Sequence, residues 1–353
     1  MNRRISFLVV CAALASLVLA AGASSAGRSA TSTTITNPKH FFYAVDPAST
    51  DPNQLQNDII YHGGNAGDGA IGIQKTPAIY LIFWGTEWAN GFTTPDSDGK
   101  TFSSKTLQSY VKGFFNNVGG SPWAGVQTQY CRNVPAGSTS CAGVDGADFI
   151  TNPAGQLKGV WTDPTPVPSN IITLGLAENL VDDPLASEAQ RASAHFKYDP
   201  NATYMILTPP TPVATGQPVY CGYHTQTTSI NGYGNPYRIE YAFIPFLNTD
   251  WPGIGTGGCG MHNVNAKSDS FGNGIFDGYS IVTGHEYSEA VTDPDNFFSD
   301  QDGWNDASGS ENGDKCAWIE TQNIKLGKHL FAVQPMWSNE AFDAGKDGCA
   351  VSR

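Results

Sequence analysis

The chain has 353 residues, 40 % hydrophobic and 11 % aromatic, which is enough apolar material to bury a sizeable core and argues against disorder. Only 14 % of the residues are charged and the net charge is −13, so a coiled coil is excluded and a nucleic-acid partner is not expected. The length allows one large domain or two ordinary ones.

Residues 1–26 read as a secretory signal peptide: Arg3 and Arg4 start it, an apolar run spans Ile5 to Ala20, and Ala21-Gly22-Ala23 or Ala26 supplies a small-residue end. The run is short for a membrane anchor, and no later stretch reaches about 18 apolar residues. A secreted, extracellular chain that is not membrane-embedded is therefore expected. Residues 27–39 are rich in Ser and Thr and read as a flexible leader. The folded domain is expected over residues 40–353, with no internal repeat and no clear inner linker.

Ala78 to Trp84 is a continuous apolar run ending at Gly85, which predicts a buried strand. Thr106 to Asn117 carries apolar residues at helical spacing and stops at Gly119-Gly120. From Cys131 to Pro168 the chain is rich in Gly, Pro and Ser, and reads as loops with short strands. A short helix is predicted over Ser187 to Phe196, then strands over Tyr204 to Thr208 and Ile239 to Ile244. Tyr279 to Val291 is predicted as a helix closed by Thr292-Asp293-Pro294, and Leu330 to Val333 as a last strand. This order implies an α/β domain with a mixed sheet and long loops.

Six cysteines remain beyond the signal peptide, and an even count outside the cell points to disulfides. Neighbour pairing is expected: Cys131–Cys141, Cys221–Cys259 and Cys316–Cys349. No C-x-x-C pair supports a cysteine-ligated metal.

The pentapeptide His285-Glu286-Tyr287-Ser288-Glu289 lies on the Tyr279–Val291 helix. Residues four apart share a helix face, so His285 and Glu289 can ligate one metal, and Glu286 is the candidate general base. This is the layout of the H-E-x-x-H zinc helix with Glu as the second ligand. Between Lys267 and Lys315 there is no Lys or Arg, and the segment holds eleven of the chain's 32 acids. Such a cluster needs a cation: a His with carboxylates suits Zn²⁺, and an oxygen-rich loop over 293–314 suits Ca²⁺. Asp300-Gln301-Asp302-Gly303 is similar to part of a calcium loop, without the E-F hand register. Glu311, 22 positions after Glu289, is the preferred third zinc ligand because thermolysin-like zinc peptidases take a Glu at a similar separation; Asp295 and Asp293 are the alternatives. Asp314 is expected to orient His285 from behind. His224 and His262 flank the expected Cys221–Cys259 bridge, and either could stabilise an oxyanion.

Several blocks in order resemble the Exordium, or phosphate-induced protein, family of plants and its bacterial secreted relatives. They are Tyr61-His62-Gly63-Gly64, Tyr80 to Gly85, Cys221-Gly222-Tyr223-His224, Tyr241 to Pro245 followed by Gly258-Cys259-Gly260, His285-Glu286 through Glu289 to Pro294, Glu311 through Asp314 to Cys316, and Phe331 to Gln334 with Trp337-Ser338-Asn339. The resemblance covers residues 61 to 349. It implies an extracellular protein, and a Glu at the position of Glu311 favours that residue over Asp295. Together the residues and the resemblance lead to the expectation of a single zincin-like domain. Its site would be His285, Glu289 and Glu311 around zinc, with Glu286 as base and a peptide or protein as substrate. The rival expectation is a non-catalytic extracellular protein that keeps the metal for stability and acts at the cell surface or wall.

Overall fold

A computed structural model describes residues 39–44, 55–64, 71–177, 180, 182–213, 220–230, 236–251, 255–256, 258–294 and 303–353. The signal peptide, nearly all of the leader, and Asp295, Asp300 and Asp302 lie outside the described residues.

The frame is a six-stranded mixed sheet. In chain order its strands are β1 (His40–Tyr43), β2 (Ala78–Trp84), β3 (Leu157–Asp163), β4 (Ala202–Leu207), β5 (Tyr220–Ile230) and β6 (Pro236–Ile244). Across the sheet they run β1-β5-β6-β4-β2-β3. Strands β6, β4, β2 and β3 are parallel, while β5 is antiparallel to β6 and β1 is antiparallel to β5. The continuous apolar runs of β2 and β4 suit this placement: parallel strands are covered on both faces.

Three helices pack on this frame: α1 (Ser104–Val118), α2 (Pro184–Phe196) and α3 (Asp277–Thr292). The predicted helices exist, and each starts earlier than predicted; in α1 and α2 a capping side chain sets the start. Ser103 accepts from the Thr106 amide, and Asp183 accepts from the Leu185 amide just ahead of Pro184. Every residue of α3 is buried. Several of its polar groups are paired across the core. Tyr110 and Ser280 hydroxyls meet at 2.9 Å, the Gln127 amide donates to the Ser288 carbonyl at 3.0 Å, and Tyr287 donates to Gln156 at 2.7 Å. A hairpin of β7 (Gln322–Leu326) and β8 (His329–Val333) also lies against α3, with Ser280 donating to the Ala332 carbonyl at 2.6 Å.

Two long strands lie where strands of this length were not predicted. β3 falls in the Gly- and Pro-rich stretch read as loops with short strands, and its broken burial pattern fits a sheet edge. β5 is eleven residues long and largely polar, so no apolar run announced it. The cysteines pair as neighbours, Cys131–Cys141, Cys221–Cys259 and Cys316–Cys349, with Cα atoms 6.1, 5.4 and 5.8 Å apart. Such bridges form in an oxidising compartment. Among the described residues no helix is long and apolar enough to cross a membrane.

Candidate metal site

α3 delivers three of the site's side chains. His285 Nε2 lies 2.9 Å from Glu289 Oε1, as the four-residue spacing predicts. The imidazole is fixed by Gln334, whose Nε2 lies 3.1 Å from His285 Nδ1 while donating to the Gly313 carbonyl at 2.8 Å. Nε2 therefore points at the acids, and its close contact with Glu289 does not have hydrogen-bond geometry. Glu286, on the next step of the helix, is fully buried, and neither of its carboxylate oxygens has a hydrogen-bond partner. An uncompensated buried carboxylate is expensive, and a cation at this position would offset that cost.

The turn around Gly313 closes one side. The Asp314 amide donates to Glu289 Oε1 at 2.9 Å, and Asp314 Oδ1 lies 3.6 Å from His285 Nε2. Asp314 therefore sits on the Nε2 side of the ring, whereas the orienting role expected of it would place it behind the ring at Nδ1. His285, Glu289 and Asp314 bring one ligand atom each within 4.8 Å of one another. Glu311 takes a different direction: its Oε2 is 2.9 Å from His224 Nε2. Two acids three residues apart on a tight turn thus serve opposite sides of the site.

His224 comes from β5 and forms the inner wall. Its Nδ1 is 3.0 Å from Glu240 Oε1 on the neighbouring strand β6, and its Nε2 is 3.6 Å from Glu289 Oε2. His224, Glu286 and Glu289 form a second group whose ligand atoms lie within 4.8 Å of one another. A histidine with one nitrogen on a carboxylate and the other facing acids has the orientation common to metal-bound histidines. This is more than the sequence suggested, since neither β5 nor the Glu240 contact was foreseen.

The metal-free electrostatics divide the two histidines. Burial lowers the His285 pKa to about 4, with Asp314 and Glu311 only partly opposing it. Burial also acts against charge on His224, but Glu311 and Glu240 outweigh it and raise its pKa well above the ordinary value. Burial, followed by the charge on Glu289, raises the Glu286 pKa well above the usual carboxylate range. Several acids and few cations in a buried cluster fit a divalent ion, and the mixed nitrogen and oxygen donors fit zinc.

Other expected residues lie elsewhere. His262 is hydrogen-bonded to Asp96 at 2.6 Å and to the Asn265 carbonyl at 2.8 Å, and Asn265 in turn binds Asp277 at the first residue of α3. That is about two turns from His285 along the helix, so His262 is not an oxyanion group of this site. Asp293 accepts from the Asn305 side-chain amide at 2.8 Å and tethers the loop rather than joining the cluster. Within the described part of loop 293–314, Asp306 accepts from Ser308 and Ser310 and pairs with Lys315 at 3.2 Å. Trp304 is fully buried and donates to the Cys131 carbonyl at 2.8 Å, so this part of the loop is packed. Among the described residues, the candidate metal-binding groups both centre on Glu289 and neither lies within the loop's earlier acids.

Access is narrow. The side chains of His285, Glu289 and His224 are at most 1 % exposed, whereas that of Asp314 is 31 % exposed. Comparison of the chain with family models, curated proteins and solved structures found no match.

Proposed function

We propose that the chain is a secreted zinc-dependent metallopeptidase of Exordium-like type. The observation that carries this reading is the buried, unpartnered Glu286 carboxylate beside the converging atoms of His285, Glu289 and Asp314. His285, Glu289 and Asp314 would hold the ion, with Glu311 and His224 on the inner wall. Zinc, when bound, supplies Lewis-acid polarisation of a carbonyl and lowers the pKa of water. Glu286 takes the proton from the attacking water and passes it to the leaving amine. His224, with one ring nitrogen on Glu240 and the other on Glu311, would hold Glu311 in place on the inner wall. A peptide or protein is the substrate, and a net charge of −13 disfavours a nucleic-acid partner.

The low exposure of the cluster favours a second reading, a non-catalytic extracellular protein held together by its metal. Zinc stoichiometry measured beside peptide cleavage separates the two. Glu289→Ala removes the residue shared by both candidate groups and should lose zinc. Glu286→Gln should keep zinc and lose hydrolysis by about two orders of magnitude or more. Retention of stoichiometric zinc by Glu289→Ala would show the ligand set to be wrong. A zinc-loaded wild type that cleaves no peptide would leave the metal-stabilised reading.

A further inference from the structure

Strand β1 covers the candidate site in the manner of a bound peptide. It adds antiparallel to the edge of β5, with His40 opposite His224, Phe41 opposite Tyr223 and Phe42 opposite Gly222. Directly opposed residues in a sheet project to the same face. Gly222 faces Glu286: a Cβ there would lie 2.7 Å from Glu286 Oε1. Phe42 therefore projects over the site, and its ring stacks on the His285 imidazole at 3.7 Å and 13°. Trp318 stacks on the outer face of Phe42 at 4.7 Å and donates from Nε1 to the Tyr43 carbonyl at 2.9 Å. Trp318 itself holds a left-handed backbone, φ 57°, so the clamp is held at some conformational cost. At the other end of the strand Lys39 is buried, donating to the carbonyls of Gly175 at 2.9 Å and Ala177 at 2.6 Å.

Extended peptides commonly bind by adding a strand to a sheet edge, with main-chain bonds for affinity and pockets for alternate side chains. The edge next to the candidate site is already taken by four residues of the chain itself. We infer that residues 39–44 are a built-in occupant of the peptide-binding edge, and that the segment they exclude is an extended peptide placing an aromatic side chain opposite Gly222. This rests on the peptidase reading for the identity of the ligand. The lid itself rests only on β1, Phe42 and Trp318.

The test uses the full chain, wild type and Phe42→Ala, with a fluorescent hexapeptide of the sequence KHFFYA, that of residues 39–44. Phe42→Ala should bind the peptide at least about tenfold more tightly than wild type and release zinc to a chelator at least about tenfold faster. Phe42→Leu keeps an apolar side chain but loses the flat stack, and should move both quantities the same way by less. It also serves if Phe42→Ala does not fold, as judged by circular dichroism. Peptide affinity and zinc release equal to wild type in a folded variant would overturn the inference. Cleavage of a general peptide substrate is followed on the same samples. Changed affinity and zinc release with no cleavage by any form would support the lid and overturn the peptidase reading. Cleavage at equal rates by wild type and variant, with unchanged binding and release, would overturn the lid and keep that reading.

Discussion

His285 and His224 approach the Glu289 carboxylate from two sides, one to each oxygen, at 2.9 and 3.6 Å. Both are buried, and without a metal their pKa values move in opposite directions, His285 down to about 4 and His224 well above its ordinary value. His285 lies between the Phe42 ring and the helix, fixed by a neutral amide, and burial prevails. His224 has a carboxylate on each ring nitrogen, at 3.0 and 2.9 Å, and the acids prevail. Burial sets the cost of a charge, but the partners in direct contact decide whether it is borne.

The most severe way to test this contrast is to delete each ring. His224→Ala strands Glu240 and Glu311 without their shared cation, and breaking a buried ion pair by removing one partner costs about 3–5 kcal/mol. His285→Ala removes a neutral ring, its stack on Phe42 and one amide contact, for about 1–3 kcal/mol. Urea denaturation in the presence of a chelator measures both. Equal losses would mean that His224 is neutral in the folded protein and that the division of charge is wrong.

A second, gentler test varies pH in the metal-free protein. The unfolded chain protonates His285 near 6.5, whereas the folded protein holds it neutral down to about 4. This residue's contribution is thus fully present above pH 6.5 and is lost as pH falls from there towards 4, by about 3 kcal/mol. His224 runs the other way: its raised pKa stabilises the fold below 6.5, and that contribution is lost as pH rises through the folded value. Imidazole resonances at pH 6 should show His285 neutral and His224 protonated. The loss on acidification should shrink in His285→Gln. A His285 resonance titrating near 6.5 would remove the contrast.

The two sides were not equally legible in the sequence, and the reason is geometric. His285, Glu286 and Glu289 lie on one helix, where spacing alone fixes which side chains meet. His224 depends on a strand whose polar sequence, Tyr220 to Ile230, has no apolar run, and on Glu240 across the sheet. Glu311 and Asp314 could be assigned to the site but not to their own partners, because the short 3₁₀ turn at Asp314–Cys316 and the Gly313 corner set their directions. The disulfides were legible because neighbour pairing closes short loops. The covering strand β1 was not, because nothing in Lys39 to Tyr43 distinguishes a covering strand from the start of a fold.

Two glycines allow the smallest and most local comparison, one on each side. Neither Gly222 nor Gly313 has a positive φ, so an added methyl group tests space rather than backbone strain. At Gly313 a Cβ would lie 2.8 Å from Glu289 Oε1, 3.0 Å from His285 Nδ1 and 3.1 Å from Ser288 Oγ. It would push on two candidate ligands at once, with α3 behind them buried along its whole length. At Gly222 a Cβ would lie 2.7 Å from Glu286 Oε1 and 3.0 Å from Val282 Cγ1, and would displace the base rather than a ligand of the His285 group. Overpacking of this kind costs about 1–3 kcal/mol in either variant, so melting temperatures should fall similarly. Zinc affinity should separate them: Gly313→Ala should weaken it by about tenfold or more, and Gly222→Ala should leave it close to wild type while reducing peptide cleavage. If Gly222→Ala releases zinc as readily as Gly313→Ala, Glu286 is itself a ligand. The ion then belongs between His224, Glu286 and Glu289, on the side of the site that the helix motif alone does not reveal.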